Sequence, residues 1–314
     1  MKLRSIQVLR AVAAIAVVLR HSDDRFAFGA IGVDLFFVIS GFIIATVAPG
    51  RAPLDFLAAR FWRIFPLYWI AAMPWLAIAT FEQRIFAPET LATFILIPVA
   101  GQFSYLGVAW TLAYELLFYA GAAVALWSKR PLLVVAALGM VVLLRGVTGQ
   151  ATFAGSPIIF EFLLGVGLAF VPRIPALAAV IGAAAAAWLI AVPSVHLEDW
   201  RIVTSFTPAM HRVGLWGIPC MMLAYAALTF ERAFASRHFD TLVWLGGASY
   251  AIYLVHLLAI RLTPDPWWLQ AACGVAVGAM AHRWIEQPVL KRRTAIGEIA
   301  GRTFRRHRIA TRPL

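Results

Sequence analysis

The sequence has 314 residues, of which 62% are hydrophobic and only 13% are charged, and its mean hydropathy is +0.83. Soluble globular domains are about half apolar and about a quarter charged, so this composition excludes an ordinary soluble domain and indicates a polytopic membrane protein. The formal net charge of +12 would suit a protein that binds nucleic acid. The basic residues lie between apolar segments and after the last of them, however, which is a membrane-topology pattern and argues against nucleic acid.

Apolar stretches long enough to cross a membrane recur along the chain. A spanning helix needs about 20 mostly apolar residues, or fewer where polar groups face a protein interior. This criterion predicts an all-α, polytopic transmembrane helical bundle of about ten spans, at residues 6–19, 31–48, 64–80, 106–127, 132–144, 156–171, 176–192, 213–230, 242–260 and 267–285. The apolar stretch 91–100 is too short for a span, and we expect it to be re-entrant or interfacial.

The distribution of basic residues predicts the orientation. With the N-terminus in the cytoplasm, about 18 Lys and Arg residues fall in cytoplasmic segments and about 7 fall in the opposite loops. The asymmetry favours a bundle with both termini cytoplasmic. We expect a transmembrane domain at 1–290 and a basic cytoplasmic tail at 291–314, the tail being solvated or in contact with anionic lipid.

The first span, LRAVAAIAVVLRH at 9–21, contains two side chains that hydrocarbon disfavours. Arg10 and His21 are eleven residues apart, which is about 1,100° of helical rotation and about 20° from three full turns. They therefore share one helix face, with His21 about 16 Å further along the axis. This spacing predicts a polar stripe across half a bilayer. The alternative is that Arg10 snorkels to the inner headgroups and His21 caps the outer end.

The second span opens with a buried carboxylate. Asp34 lies near the start of GAIGVDLFFVISGFII, and a basic residue of the first helix is its easiest partner. Either a buried ion pair that fixes helix register or a role in the site is consistent with this position. Ser40 and Gly41 in the same segment predict a small-residue contact that lets two helices approach closely.

Two arginines precede the third span in the segment AARFWRIFPLYW. Arg60 and Arg63 are three residues apart and so lie on one helical face, where both guanidinium groups can converge on one anion such as a phosphate. The alternative is ordinary anchoring at the cytoplasmic interface beside Trp62, Tyr68 and Trp69.

Further carboxylates occur in later segments. Glu115 lies in WTLAYELLFY and Glu161 in SPIIFEFLLGVG, and either can be protonated in a span because burial disfavours the charged form. We expect Glu161 to be structural. Glu286, in HRWIEQPVLKR, is expected to form an ion pair with Arg283 that ends the last helix.

The ninth span contains GGASYAIYLVHLL, in which polar residues follow a helical period. Ser249, Tyr253 and His256 lie at i, i+4 and i+7 on one face, with Tyr250 beside them. Counting from the cytoplasmic end, His256 lies about 21 Å along the helix, at a depth similar to that of His21. The sequence therefore predicts that the two histidines meet in the outer half of the membrane.

Six of these stretches, in order along nearly the whole chain, resemble the acyltransferase 3 family of integral membrane O-acyltransferases, which modify exopolysaccharides, O-antigens, Nod factors and related sugars. The stretches are LRAVAAIAVVLRH, GVDLFFVISGF, RFWRIFP, WTLAYELLFY, GGASYAIYLVHL and IEQP. The family's R-x10-H motif falls on Arg10 and His21, and its R-x-x-R motif falls on Arg60 and Arg63. Its W-[ST]-L-x-x-E motif falls on Trp110, Thr111, Leu112 and Glu115. Its S-Y-x-x-Y-L-x-H motif falls on Ser249, Tyr250, Tyr253, Leu254 and His256. Leu116 departs from the tryptophan that often follows the motif glutamate. We expect no appended periplasmic hydrolase-like domain, as in the stand-alone members of the family.

The resemblance implies transfer of a short acyl group, acetyl above all, from cytoplasmic acyl-CoA to a hydroxyl of an extracytoplasmic or lipid-linked saccharide, without a metal. The residues it implies are catalytic His21, Arg10, Glu115, Tyr250 and His256; donor-binding Arg60 and Arg63; and substrate-binding Asp34, Ser249 and Tyr253. It also implies a bacterial inner membrane location, contact with membrane lipids, and association with polysaccharide-assembly machinery.

In the mechanism that this resemblance implies, His21 removes the proton from a sugar hydroxyl. Tyr250, Tyr253 or Arg10 stabilises the oxyanion, and Glu115 or His256 orients His21 or carries the second proton. An acyl-histidine intermediate is an open variant. Two other functions also stay open at this stage: a transporter whose buried ionisable residues form a pathway, and a scaffold subunit of a polysaccharide-assembly complex.

Overall fold

The structure, a computed structural model, describes residues 3–148, 153–172, 175–191 and 204–292. These residues form helices, with no β-strand among them, and this confirms the predicted all-α class. The α-helices are α1 (Arg4–Ser22), α2 (Ile31–Val47), α3 (Pro53–Phe81), α4 (Ala87–Ile95), α5 (Trp110–Ser128), α6 (Pro131–Val147), α7 (Ile159–Leu168), α8 (Ala176–Ala191), α9 (Phe206–Arg212), α10 (Ile218–Thr229), α11 (Asp240–Leu262) and α12 (Trp267–Ala281). A π-helical turn at Val213–Gly217 joins α9 to α10, and another at His282–Glu286 extends α12.

Six helical segments of the described chain are long and apolar enough to cross a membrane, which makes the protein a polytopic membrane protein. They are Arg4–Ser22, Asp24–Val47, Pro53–Phe81, Gly107–Ser128, Phe206–Thr229 and Arg237–Leu262. The predicted spans at 132–144, 156–171, 176–192 and 267–285 correspond to the shorter helices α6, α7, α8 and α12. The total of about ten spans and the cytoplasmic termini stay predictions, and the tail from residue 293 lies outside the described residues.

Helix α1 packs along α11, and α11 packs along α12, because glycines allow their backbones to approach. A Cβ atom on Gly246 of α11 would lie 1.9 Å from the carbonyl oxygen of Gln7, and one on Gly278 of α12 would lie 2.4 Å from Cα of Ile252. Both distances exclude any side chain. The close contact places the polar residues of α1 directly against those of α11.

Helices α2 and α7 make a reciprocal contact of the same kind. A Cβ atom on Gly41 would lie 2.0 Å from the carbonyl oxygen of Phe162, and one on Gly165 would lie 2.0 Å from that of Val38. The small-residue contact predicted at Ser40 and Gly41 is therefore confirmed for Gly41, and its partner is α7.

The two ends of the bundle are named here after α1, as the Arg4 end and the His21 end. Between α3 and α5 the chain forms the nine-residue helix α4, which overlaps the stretch 91–100 that is too short to span. Tyr68 of α3 ties this region to the bundle by donating a hydrogen bond of 2.8 Å to the carbonyl oxygen of Thr93.

Candidate active site

A wide, positively charged cavity of about 680 Å³ lies at the Arg4 end. Its polar lining residues are Gln7, Arg10, Thr46, Arg60, Arg63, His282, Gln287 and Lys291. Four of these side chains are cationic and none of the lining residues is a carboxylate. A concave site with this charge attracts an anionic ligand.

A narrow cavity of about 110 Å³ adjoins the wide one and shares Arg10, Arg60 and Arg63 with it. Its other polar lining residues are Ser40, Thr111, Glu115, Tyr119, Ser249, Tyr250 and Tyr253. Three arginines from two different sequence motifs therefore stand where the two cavities meet. The structure thus gathers most of the predicted site residues around these two adjoining cavities.

Arg10 and Arg60 are held differently. Arg10 donates from Nε to Oγ of Ser249 at 3.2 Å, which connects α1 to α11. The Arg60 guanidinium lies over the rings of Phe56 and Tyr119, with Cζ at 5.3 and 5.5 Å from their centroids, and its buried Nε has no hydrogen-bond partner in the described part of the chain. Cation–π contacts leave the other N–H groups of a guanidinium available for an anion.

Arg63 is held by Glu286, and this corrects the predicted partner of that glutamate. The distance from Nη1 of Arg63 to Oε1 of Glu286 is 3.6 Å, and the other carboxylate oxygen lies 2.6 Å from Nδ1 of His282. Gln287 in turn contacts Nε2 of His282 at 3.1 Å. The predicted pair with Arg283 is wrong, because the Glu286 carboxylate is engaged by Arg63 and His282 while Arg283 is exposed.

Glu115 lies in the narrow cavity, and its contacts are with Ser40 and Tyr119. Oγ of Ser40 donates to its carboxylate at 3.3 Å, and the Tyr119 hydroxyl, one helical turn further on, donates to the same oxygen. His21 does not line this cavity. Glu115 is therefore placed among the arginines, and its suggested role in orienting His21 stays a prediction.

The two tyrosines of α11 already use their hydroxyl protons. The hydroxyl of Tyr250 donates to the carbonyl oxygen of Ile64 at 2.7 Å. That of Tyr253 lies 3.0 Å from the carbonyl oxygen of Val108 and 2.9 Å from Oγ1 of Thr111. Each tyrosine would have to release such a bond before it could stabilise an oxyanion. In this arrangement both hydroxyls fix the position of α11 against α3 and α5.

The prediction that two histidines meet is confirmed, with 5.1 Å between the ring centroids of His21 and His256. His21 is exposed at the end of α1, whereas His256 is completely buried. Nδ1 of His256 lies 3.1 Å from the carbonyl oxygen of Ile252, and its buried Nε2 has no partner among the described residues. Because a carbonyl oxygen only accepts, Nδ1 carries the proton and Nε2 presents a lone pair.

Tyr253 connects the cavities to the histidines. It lines the narrow cavity, and its ring centroid lies 6.0 Å from that of His256. Neither His21 nor His256 is among the lining residues of the two cavities. The polar stripe therefore runs from Arg10 through Ser249 and Tyr253 to the histidine pair, while the space around the arginines ends before it.

The expected partner of Asp34 in the first helix is wrong. Asp34 is completely buried and pairs with Arg212 of α9, whose Nε and Nη2 donate to the two carboxylate oxygens at 2.8 Å each. Asp34 does not line either cavity. Glu161 of α7 is also buried beside this pair, within interaction distance of Asp34 and Arg212. This arrangement fits the structural role expected for Glu161.

Sequence reasoning missed several residues of the site. These are Gln7, Tyr119, His282 and Lys291 in the cavities, and Arg212 at Asp34. The sequence does point to Tyr119 and His282, because Tyr119 lies four residues from Glu115 and His282 lies four residues from Glu286. Residues at i and i+4 share a helix face. The sequence points less clearly to Arg212, because it stands at the edge of an apolar segment, where a basic residue is typical of a loop.

Comparisons with known proteins identify the family. The acyltransferase 3 model, described as an acyltransferase domain, matches residues 3–292. The chain belongs to the acyltransferase 3 family. It is therefore an O-acyltransferase, which sets aside the transporter and the scaffold. No solved structure matches the chain.

Two curated relatives of this acyltransferase cover most of its length. The exopolysaccharide production protein ExoZ of Rhizobium meliloti is 29% identical over 321 residues, which is 89% of this chain and 95% of that protein. The peptidoglycan O-acetyltransferase OatA of Listeria monocytogenes is 28% identical over 349 residues, which is 91% of this chain but 56% of that protein. A shorter match, 40% identical over 77 residues, is to protein 2 in the picA locus of Rhizobium radiobacter.

Proposed function

We propose that this acyltransferase moves an acetyl group from cytoplasmic acetyl-CoA to a hydroxyl of a saccharide on the outer side of the bacterial inner membrane. One observation carries the proposal: three arginines at a cavity junction and a histidine pair are joined by a polar stripe along α1 and α11. The names of the relatives, an exopolysaccharide production protein and a peptidoglycan O-acetyltransferase, support a saccharide acceptor.

The wide cavity suits the phosphates of the donor. Arg60 and Arg63 bind them, and Arg10 and Lys291 add positive charge from two other elements. Arg10 lies about 16 Å below His21 along α1, close to the length of about 15 to 20 Å that an extended pantetheine arm spans. Arg10 is therefore assigned to the donor, since it is too far from His21 to stabilise an oxyanion there.

The histidine pair performs the proton transfer. The His21 ring lies beside the free Nε2 of His256, and a rotation of His21 lets one of its N–H groups donate to that nitrogen. The second nitrogen of His21 then presents a lone pair to the acceptor. His21 removes the hydroxyl proton while the sugar oxygen attacks the thioester carbonyl. The new C–O bond forms, the C–S bond breaks, and the CoA thiolate leaves and takes up the proton that His21 removed from the hydroxyl.

The variant with an acyl-histidine intermediate uses the same residues in two steps. His21 first displaces CoA from the carbonyl, and the sugar hydroxyl then attacks the acyl-imidazole. Incubation with labelled acetyl-CoA alone distinguishes the variants, because only the two-step route leaves label on His21 of acid-quenched protein.

Reconstitution tests the function. We expect purified protein in liposomes to transfer label from acetyl-CoA to surface polysaccharide purified from a strain that lacks the gene. His21→Ala at matched expression should abolish transfer, and His256→Gln should reduce it strongly, since general acid–base catalysis contributes about 10²- to 10⁴-fold. No transfer by the wild-type protein, or full transfer by His21→Ala, would refute the proposal.

Two features complete the proposal. The basic segment 291–314 forms a cytoplasmic tail on the transmembrane domain 1–290, with Lys291 in the wide cavity and the remaining basic residues free to attract anionic lipid headgroups. The protein works beside the polysaccharide-assembly machinery that supplies the acceptor. Copurification of that machinery with the full chain, lost when the acceptor pathway is deleted, checks the second point.

A further inference from the structure

The chain forms a compact cap directly beyond His21. Helix α1 ends at Ser22, and Asp23 begins a 3-10 helix at Asp24–Ala30 by accepting a hydrogen bond of 2.8 Å from the backbone N–H of Arg25. The Asp23 carboxylate also binds the Arg25 side chain, with 2.7 Å between Oδ2 and Nη2. This ion pair therefore lies within four residues of His21.

Trp267, at the start of α12, completes the cap. The ring centroid of Trp267 lies 4.9 Å from that of Phe26, and Cζ of Arg25 lies 5.6 Å from the centroid of the Trp267 ring. An aromatic surface and an Asp–Arg pair thus form one cluster at the His21 end. We call Asp23, Arg25, Phe26 and Trp267 the outer cluster.

The outer cluster lies just above His21. Val18 of α1, His256 of α11 and Gly274 of α12 lie at one level of the bundle. A Cβ atom on Gly274 would lie 3.1 Å from Cγ1 of Val18 and 3.4 Å from Cβ of His256. From this level His21 is three residues, or about 4.5 Å, further out on α1, and Trp267 is seven residues, or about 10.5 Å, further out on α12. Trp267 therefore stands about 6 Å further out along the helix axes than His21.

We propose that the outer cluster binds the acceptor saccharide, an inference that rests on the function proposed above. A pyranose ring has an apolar C–H face that packs on aromatic rings and a rim of hydroxyls that need both donors and acceptors. Phe26 and Trp267 supply the surface, Arg25 the donors and Asp23 the acceptors. A sugar bound there presents a hydroxyl to His21.

The charge of the cluster is suited to this role. The hydrogen bonds from Arg25 hold the pKa of the Asp23 carboxyl below its ordinary range. Asp23 therefore stays an anionic acceptor throughout the physiological pH range. Because Arg25 balances its charge, the pair binds a neutral polyol without favouring an anion or a cation.

The neighbouring tryptophan provides a contrast. Trp268 is 58% exposed and lies about 100° around α12 from Trp267, as expected of a residue that anchors the helix in the lipid interface. Trp267 instead is half-buried against Phe26. The two residues share their type and depth but differ in what they face, so Trp268 is a matched control.

The test titrates polysaccharide purified from the gene-deletion strain against reconstituted protein at saturating acetyl-CoA. We expect Trp267→Ala to raise the acceptor KM by about tenfold, with the donor KM unchanged, and Trp268→Ala to leave both unchanged. Asp23→Asn, which preserves the helix cap, is the second variant if Trp267→Ala does not fold, and it should raise the acceptor KM alone.

Three results would overturn the inference: an unchanged acceptor KM in Asp23→Asn and in folded Trp267→Ala, equal effects of the two tryptophan variants, or a shift confined to kcat or to the donor KM. Failure of the wild-type protein to acylate the polysaccharide would instead refute the proposed function. Normal transfer by the wild type with unchanged acceptor KM in the variants refutes only the acceptor site.

Discussion

Buried charges in this acyltransferase are neutralised by residues distant in sequence. Asp34 and Arg212 lie 178 positions apart, yet both side chains are almost completely buried and form a bidentate pair. A pair of this kind contributes little net stability when intact, because desolvation offsets the attraction. Its importance is revealed when one member is removed and a charge stays buried alone.

Arg212→Leu should therefore destabilise the protein by about 3 to 5 kcal/mol. The double variant Asp34→Leu with Arg212→Leu should recover most of that loss, because no uncompensated charge is left. Thermal denaturation in detergent, followed by the monodisperse fraction in size-exclusion chromatography, measures both. If Asp34 bound substrate instead, the double variant would fold but transfer no acyl group.

Glu286 illustrates a second use of a buried carboxylate, the positioning of an arginine. Its two oxygens contact His282 and Arg63, so that the Arg63 side chain is held toward the wide cavity. Glu286→Gln keeps the shape but removes the charge. We expect the KM for acetyl-CoA to rise about tenfold, equivalent to about 1.4 kcal/mol, with little change in kcat.

The matched control for this experiment is Arg283→Gln, which changes the charge of an exposed neighbour on the same helical turn. It should leave the KM for acetyl-CoA unchanged. A Glu286→Gln protein with a normal donor KM, or one whose acceptor KM rises equally, would show that Glu286 only stabilises the end of α12.

Helix contacts in this bundle depend on single glycines, because lipid provides no hydrophobic drive for helices to associate. The reciprocal contact of Gly41 and Gly165 brings α2 within backbone distance of α7. Since α2 also contributes Ser40 to the narrow cavity, the spacing of the two helices bears directly on the site.

Gly165→Ala should destabilise the bundle, since its Cβ would lie 2.0 Å from the carbonyl oxygen of Val38. Gly167→Ala, two residues further along α7, has no neighbour within 4 Å and should be neutral or stabilising by up to about 1 kcal/mol, the difference in helix propensity. Melting temperatures of the two variants in one detergent provide the comparison. Equal behaviour would show that α2 and α7 do not pack closely.

At the scale of the whole molecule, much of the arrangement follows from the sequence. Hydropathy locates the helices, and helical periodicity puts His21 and His256 at the same depth, where their rings meet. Periodicity also places Arg10 on the same face of α1 as His21, and in the structure this face meets Ser249 of α11. These predictions succeed because they need only the geometry of a single helix and its depth in the membrane.

Predictions fail where they require knowing which helix lies beside which. Chain order predicts a partner for Asp34 in the adjacent helix, but the bundle brings Arg212 of α9 to that position. Chain order likewise predicts Arg283 as the partner of Glu286, whereas the fold brings Arg63 to it. Chain order does not determine neighbours in a bundle with many helices, so long-range ion pairs lie beyond single-sequence reasoning.

Orientation in the membrane is the last large feature that sequence predicts, and it is directly testable. Positive residues favour a cytoplasmic Arg4 end, so that the His21 end faces outward.

Asp24, whose side chain is 99% exposed, lies just beyond His21, and Arg51 is exposed in the loop between α2 and α3. In a chain with Cys220→Ala and Cys273→Ala, we expect a membrane-impermeant maleimide to label Asp24→Cys in intact spheroplasts, but Arg51→Cys only after lysis. The cysteine-free chain controls for background. The reverse pattern would place the donor cavity outside the cell, where acyl-CoA is absent, and would invalidate the proposed direction of transfer.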